Sequence, residues 1–238
     1  MKILFATPRF PYPPFKGDQV VPYNRLRILS ERHEITLLSL YDTDAELEGV
    51  EHLRAFLKDI HVVKLPRWKS LLNVTLKGAY SRQPLQALYY QSSAFENELR
   101  RLLARTSFDV IHAFMLRLAP YLSPIAKPKL LELIDSMQLN LERRIEKERI
   151  PWSWVFREEL RRVARFERAV GTSFDEMVVA SEKDRLYISG NNVSVVPLGV
   201  DSDLFASNDN PKYDVPTLIF SGNMGYAPNI SAVTWFVD

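Results

Sequence analysis

The first twenty residues, MKILFATPRFPYPPFKGDQV (residues 1–20), combine a short apolar run with a proline-rich loop that ends in glycine. Residues 3–6 have the continuous apolar character of a buried strand. Asp18 can cap a helix that runs to about residue 32, with Pro22 tolerated in its first turn. This order of strand, loop and helix predicts the first unit of a parallel α/β sheet.

The same alternation continues along most of the chain. Further strands are predicted at residues 33–40, 60–65, 109–114, 129–135, 176–181 and 193–199. Helices are predicted at about residues 45–57, 93–105, 140–170 and 182–189, the third interrupted near Pro151. Such alternation predicts a Rossmann-like α/β fold, a mainly parallel sheet with helices on both faces.

A change of character near residue 200 divides the chain. Residues 201–216 are polar, acidic and proline-bearing, which is typical of an interdomain linker. A strand-and-turn pattern then restarts at residues 217–224, and a final helix carries Trp235, Phe236 and Val237 close to its end. An apolar helix face needs a sheet to pack on. We therefore predict a first domain at residues 1–200, a linker at 201–216 and the truncated start of a second Rossmann-like domain at 217–238.

The composition excludes several classes of protein. A hydrophobic content of 46% supports a sizeable core, and the absence of cysteine excludes disulfides and thiolate metal sites. The four histidines lack metal-ligand spacing, so we expect no metal and no cofactor. A net charge of +2 does not favour nucleic acid as a partner. No apolar run approaches the roughly 18 residues of a membrane span, which favours a cytoplasmic protein.

Ligands of open α/β sheets bind beyond the carboxyl ends of the strands, where the opening loop is expected to lie. Gly17 permits close approach of the backbone, and the helix that follows offers free N–H groups to an anion. The loop contains neither GxGxxG nor GxxxxGK[ST], so neither a nicotinamide cofactor nor a nucleotide P-loop is indicated. The alternative is an ordinary surface loop.

Three other predicted strand ends carry polar residues. His112 could act as an acid or base, or could be a hydrogen-bonded core residue. Asp135 and Ser136 could bind a hydroxyl group, or Asp135 could cap the next helix. Ser181 and Glu182 begin a helix, where they could contact an acceptor or a phosphate or could serve as a cap.

Residues 60–95 form a basic segment without a single Asp or Glu. Its cations are interleaved with apolar and aromatic residues such as Trp68 and Tyr80. The five cations are Lys64, Arg67, Lys69, Lys77 and Arg82. This composition suits peripheral contact with an anionic membrane or a lipid-linked acceptor. The alternative is a loop packed on its own domain.

Several of these stretches, in this order, resemble the N-terminal half of a GT-B glycosyltransferase of family 4. They are PYPPFKGD (residues 11–18), DVIHAF (109–114), FERAVGTSFDEMVVASEKDR (166–185), VVPLGVDSDLF (195–205) and SGNM (221–224). Members of this family are retaining enzymes that use nucleotide sugars, and the chain is most similar to those of bacterial exopolysaccharide and exosortase-associated clusters. The resemblance covers essentially the whole chain.

The resemblance implies roles for individual residues. Gly17 and Asp18 would face the donor diphosphate, as would Gly222 and Asn223 in the second domain. The acceptor side would be lined by Asp135, Ser136, Ser181 and Glu182. His112 matches the first histidine of a frequent HxH pattern and is the candidate catalytic residue, while the second position is Phe114.

The implied reaction transfers a sugar, with retention, from a nucleotide diphosphate donor to a lipid-linked or polysaccharide acceptor. Helix N-termini and basic side chains would stabilise the leaving group. Most of the donor site would lie beyond residue 238, so the chain alone is expected to be inactive. One alternative is a non-catalytic Rossmann-type module that binds a sugar or nucleotide. Another is an inverting GT-B enzyme with a first-domain histidine or aspartate as base, which PLGVD and SGNM disfavour.

Overall fold

A computed structural model describes residues 1–146, 148–188, 190, 192–200, 202, 217–222, 224–225 and 227–237. The chain forms two compact units, Met1–Leu198 and Gly199–Asp238. Of the predicted linker, only Ser202 is among the described residues, and Asn223 lies outside them.

The first unit is built on a seven-stranded sheet in the order β3-β2-β1-β4-β5-β6-β7. The strands are β1 (Lys2–Thr7), β2 (Glu34–Tyr41), β3 (Asp59–Lys64), β4 (Val110–Phe114), β5 (Lys129–Ile134), β6 (Glu176–Val179) and β7 (Val193–Val195). Every neighbouring pair is parallel. The predicted Rossmann-like α/β sheet is therefore confirmed.

Helices connect these strands. They are α1 (Gly17–Ser30), α2 (Val50–Arg54), α3 (Arg67–Lys77), α4 (Leu85–Tyr89), α5 (Ser93–Arg105), α6 (Ala119–Leu122), α7 (Met137–Ile145), α8 (Trp152–Gly171) and α9 (Glu182–Arg185). In the second unit, α10 spans Ala227–Val237. Among the described residues, no helix has both the length and the apolar character required to cross a membrane.

Both faces of the sheet are buried, as the sequence predicted. Alternate residues of a strand point to opposite faces, and β1 contributes Leu4 to one hydrophobic cluster and Phe5 to the other. The first cluster includes residues of α5 and α8, and the second includes Leu26 of α1 and Leu53 of α2. The continuous apolar runs of the central strands follow from this two-sided burial.

Some predicted elements differ from the structure. Helix α1 begins at Gly17 with Lys16 at its N-cap position, so Asp18 lies in the first turn and does not cap it. The basic segment contains α3 and α4, two helices that the pattern did not predict. Residues 217–222, predicted as part of a strand, have no regular secondary structure.

Candidate functional site at the carboxyl edge of the sheet

The connections that leave β1 and β4 diverge, because β1 pairs with β2 on one side and with β4 on the other. After β1 the chain returns to the sheet as β2, and after β4 it continues away from β1 to β5. This divergence is the topological switch point of a doubly wound sheet, where ligands bind in the crevice outside the carboxyl ends. The proline-rich loop follows β1 directly.

The proline-rich loop, residues 8–16, is anchored by its middle residues. Phe10 is fully buried, and its carbonyl accepts a hydrogen bond of 3.2 Å from Gln19 Nε2 of α1. Tyr12 stacks on His52, with ring centroids 4.4 Å apart. A Cβ at Gly49 would lie 2.2 Å from Tyr12 Cδ1, so Gly49 allows this ring to pack closely. These contacts hold the loop in one position beside α1.

Gly17 and Asp18 lie where this loop enters α1. Gly17 is exposed, and a Cβ built on it would meet nothing within 4 Å. Open space therefore adjoins the first backbone N–H groups of a 14-residue helix. Asp18 forms an ion pair of 2.8 Å with Arg9. Packing within this unit therefore does not require a glycine at position 17.

Two non-glycine residues with positive φ lie at the neighbouring strand ends. Met115 follows β4 with φ 69°, and Ile134 ends β5 with φ 68°. The Met115 N–H donates to the carbonyl of Glu132 at 2.7 Å, and the Ile134 carbonyl accepts from Ala180 N–H at 2.8 Å. Positive φ is unfavourable, above all for a β-branched residue, and such strain is concentrated at functional sites. Both residues mark the edge that the switch point favours.

Three adjoining cavities form a groove along this carboxyl edge, which we call the edge groove. The first, about 280 Å³, lies between the proline-rich loop and the ends of β2 and β3. It shares Arg9, Tyr89 and Tyr90 with a second cavity of about 490 Å³, which Asp18 also lines. The third, about 230 Å³, shares Gln86 and Arg117 with the second and reaches Asp135. The edge groove therefore passes the predicted donor-side Asp18 and ends at the predicted acceptor-side Asp135.

Another cavity, about 730 Å³, lies at the opposite edge and is lined by Lys2, Arg32 and Asp109 among others. It is larger than any part of the edge groove, but it faces the amino ends of the strands. Loops that diverge at the switch point, strained backbone and a helix N-terminus are all found at the carboxyl edge. We therefore place the candidate site in the edge groove.

One reading of the sequence suggested that Asp135 caps α7, and the structure shows that this reading is wrong. Ser136 occupies the N-cap position, and its hydroxyl accepts from Leu139 N–H at 3.3 Å. The Asp135 carboxylate is exposed and accepts a hydrogen bond of 2.8 Å from Asn140 Nδ2. This leaves the carboxylate at the wall of the 230 Å³ cavity, where it can accept further hydrogen bonds.

Glu167 of α8 lines the same cavity and was not recognised from the sequence. It is 2% exposed, and burial raises its pKa to about 7, with a further rise from the charge of Asp135. A hydrogen bond of 2.5 Å from Gln138 Nε2 to Oε2 opposes this shift. A carboxyl group with this pKa exchanges a proton close to neutral pH, which is the range that acid–base chemistry uses.

His112 lies within β4, where it belongs to a buried charge cluster. Its Nε2 is 2.9 Å from Glu132 Oε2, and its ring packs on Phe5 with centroids 4.3 Å apart. Arg25 of α1 donates to Glu132 Oε1 at 3.2 Å. Burial raises the pKa of Glu132, but His112 and Arg25 together hold it below the ordinary value. Among the described residues, those that line the edge groove do not include His112, and its catalytic role stays a prediction.

Ser136 and Ser181 are brought together by Asp184. The Ser136 N–H donates to Asp184 Oδ1 at 2.9 Å, and the Ser181 hydroxyl donates to the other carboxylate oxygen. Ser181 caps α9 by accepting from Asp184 N–H at 3.2 Å. Glu182 is exposed and pairs with Arg185 at 3.2 Å. Both serines therefore have capping partners, and an acceptor contact by these residues stays a prediction.

The two donor-side residues predicted for the second unit are only partly described. Gly222 is exposed, and a Cβ there would approach Asn229 Nδ2 at 2.9 Å and Phe220 Cε1 at 3.0 Å. Asn223 lies outside the described residues.

Comparisons with known proteins give similar structures but no family. No family model and no curated protein matches the chain. One similar solved structure is the N-terminal domain of trehalose-6-phosphate phosphatase from Candida albicans, at 14% identity and TM-score 0.48 over 85% of this chain and 49% of that chain. A UDP-glucosyltransferase from Polygonum tinctorium capable of glucosylating indoxyl gives 12% identity and TM-score 0.49 over 84% of this chain and 52% of that chain. TcCGT1 in complex with UDP gives 12% identity and TM-score 0.48, over 99% of this chain and 55% of that chain. The chain thus spans about half the length of these solved structures.

Proposed function

We propose that the chain is the acceptor-side half of a retaining, family 4-like glycosyltransferase that uses a nucleotide diphosphate sugar. The observation that carries this proposal is the edge groove at the switch point of the sheet, with Asp18 and Asp135 along it. The sequence resemblance implies the reaction. The edge groove offers room for a ligand at the carboxyl edge of the sheet, where open α/β sheets bind their ligands. No metal or cofactor belongs to the proposal.

Gly17 is the proposed point of contact with the donor. A diphosphate can approach the α1 N-terminus there because no side chain occupies the space, and free N–H groups at a helix start favour an anion. Arg9 is held beside this point by Asp18, which sets its position but offsets its charge. In this proposal the remaining donor contacts come from a second domain that begins near residue 217, Gly222 and Asn223 among them.

The acceptor in this proposal is a polysaccharide or a lipid-linked sugar, which the groove receives at its Asp135 end. Exposed apolar side chains on α3, Trp68, Leu72 and Leu76 among them, support peripheral contact with an anionic membrane. Arg162 of α8 donates to the Gly78 carbonyl at 2.8 Å, so α8, whose Trp152 and Trp154 are exposed, contacts the end of α3. Of the five cations, Lys64 and Arg67 pair with Asp44 and Asp42, so apolar contact contributes more than the sequence suggested.

The test is nucleoside diphosphate release by the full gene product that contains these 238 residues, with a panel of nucleotide diphosphate sugars and with a lipid and polysaccharide extract as the acceptor of the sugar. We expect sugar-specific release by the full product and none by the 238-residue chain alone. Binding without release by the full product would support the alternative, a non-catalytic sugar-binding or nucleotide-binding module. Release by the isolated chain would overturn the proposed division of the site between two domains.

A further inference from the structure

Glu167 is a buried carboxyl group in a helix whose other charges are mostly exposed. Its Oε2 accepts from Gln138, whereas its Oε1 has no hydrogen-bond partner of good geometry among the described residues. The backbone N–H of Met137 lies close enough to the carboxyl group to lower its pKa, without making a hydrogen bond of good geometry to Oε1. Buried polar atoms in proteins nearly always have a partner. This oxygen therefore has unused capacity to accept a hydrogen bond, and the cavity that Glu167 lines is the route by which a donor can approach it.

The surroundings of Glu167 form a small cavity of about 230 Å³ with a polar rim and an apolar wall. The rim carries Asp135, Asn140 and Arg144, which are exposed, whereas Glu167 lies on the buried side. The wall is made by Met115, Leu116, Leu133, Met137 and Leu141. Sites of this kind, apolar with a few placed polar groups, bind small organic ligands.

Size and charge restrict the ligand. The cavity is smaller than the roughly 300–1,000 Å³ of pockets for drug-sized ligands, so it suits a single ring better than a nucleotide. Two carboxyl groups, Asp135 and Glu167, and two guanidinium groups, Arg117 and Arg144, line the cavity, so its wall has no excess of either charge to favour an ionic ligand. Carboxylate oxygens accept hydrogen bonds from hydroxyl groups, and such charge-assisted bonds are short and strong. A neutral polyol meets all three conditions.

We propose that this cavity, which we call the Glu167 pocket, binds one sugar ring of the acceptor, with ring hydroxyls donating to Glu167 Oε1 and to Asp135. The identity of the ring as acceptor rests on the glycosyltransferase function proposed above. The pocket for a sugar-sized polyol rests on the cavity and on the unpartnered oxygen.

Binding at the Glu167 pocket is coupled to a proton. A hydroxyl donor favours the charged carboxylate, so the bound sugar lowers the pKa of Glu167 from about 7 and affinity rises as pH rises through neutrality. The charged groups around the pocket are Asp135 at the end of β5, Arg117 after β4 and Arg144 on α7. Tyr187, after α9, is hydrogen-bonded to Glu142.

The test follows the carboxyl carbons of the 238-residue chain by NMR after carbon-13 labelling of glutamate, with Glu167→Gln assigning the Glu167 signal. The probes are glucose, galactose, mannose and N-acetylglucosamine. We expect at least one probe to shift the Glu167 signal and lower its titration midpoint. We also expect Glu167→Gln and Asp135→Asn to weaken its binding about tenfold, a loss of about 1.4 kcal/mol. Glu158→Gln, at an exposed position of α8, is the matched control and should bind normally.

Two results would overturn the Glu167 pocket: no probe moves the Glu167 signal, or the binding probe has the same affinity for Asp135→Asn as for the wild type. Because Asp135 is exposed, its variant should fold even where Glu167→Gln does not. Probe binding without nucleoside diphosphate release by the full gene product would refute the proposed function and leave the pocket standing. Undiminished release by the full product carrying Asp135→Asn and Glu167→Gln would refute the pocket alone.

Discussion

Replacing Glu167 with glutamine should change how the stability of the chain depends on pH. The carboxyl group is 2% exposed, and burial raises its pKa from 4.5 to about 7. In the unfolded chain the group loses its proton near pH 4.5, whereas in the folded chain it keeps it up to about pH 7. The folded state therefore binds one proton more between these limits, and the free energy of unfolding falls as pH rises through them.

The size of this effect follows from the shift. A rise from 4.5 to about 7 corresponds to about 3 kcal/mol, at 1.36 kcal/mol for each pKa unit. Glutamine has nearly the same shape and cannot ionise. The stability of Glu167→Gln relative to the wild type should therefore increase by about 3 kcal/mol from below pH 4.5 to above pH 7.

The assay is urea unfolding of both proteins at a series of pH values, with Glu158→Gln as the exposed control on the same helix. Most other ionisations are common to the two proteins and cancel in the difference. If the Glu167→Gln and wild-type curves stay parallel across this range, Glu167 is ionised normally in the folded chain. The reasoning from its burial would then be refuted.

Three further predictions concern the buried cluster, the proline-rich loop and α3. Glu132→Gln should lower the free energy of unfolding by about 3 kcal/mol, because it leaves His112 and Arg25 without their carboxylate. Since His112 and Arg25 lower the pKa of Glu132, this difference should shrink as pH falls through the acidic range, and equal urea curves at every pH would contradict it. Gly49→Ala should destabilise the chain by about 1–3 kcal/mol, because the added methyl group clashes with Tyr12. Gly17→Ala has open space and should leave the thermal stability unchanged or slightly higher. Equal shifts of the melting temperature in the two variants would count against the anchored loop. The double variant Trp68→Ser, Leu72→Ser should sediment less with anionic vesicles than the wild type, while the control Ile28→Ser on α1 should sediment as the wild type does. Equal binding by the wild type, the double variant and the control would remove α3 from the membrane proposal.

The sheet could be predicted because its evidence is local. Each central strand is a short apolar run, since both of its faces are buried, and the helices between them have their own periodicity. The same local reasoning placed the candidate loops at the carboxyl edge, which is where the structure has the edge groove. It also identified Gly17 and Asp135 as candidates, because Asp135 directly follows β5 and Gly17 follows β1 after one loop.

Two of the buried glutamates, Glu132 and Glu167, could not be recognised, because their environment depends on distant parts of the chain. Glu132 appears in the sequence as a charge within an apolar strand, and its partner Arg25 is 107 residues away. Glu167 lies in an Arg- and Glu-rich helix whose spacing is typical of a solvated surface, and only the packing of α7 on α8 buries it. His112 was predicted near the end of a strand at residues 109–114, which agrees with β4, but its contact with Glu132 of the neighbouring strand could not be predicted from the sequence.

The central claim is that the carboxyl edge of the sheet, with Gly17 at the start of α1 and the edge groove beside it, and not the larger cavity at the amino edge, serves sugar transfer. The most direct measurement is nucleoside diphosphate release by the full gene product carrying Gly17→Ala, compared with Arg32→Gln at the amino edge. In the proposed site a methyl group at Gly17 would crowd the diphosphate without disturbing the fold, so release should fall about tenfold or more in kcat/KM. Arg32→Gln should match the wild type. Unchanged release by Gly17→Ala, together with a loss in Arg32→Gln, would contradict the claim.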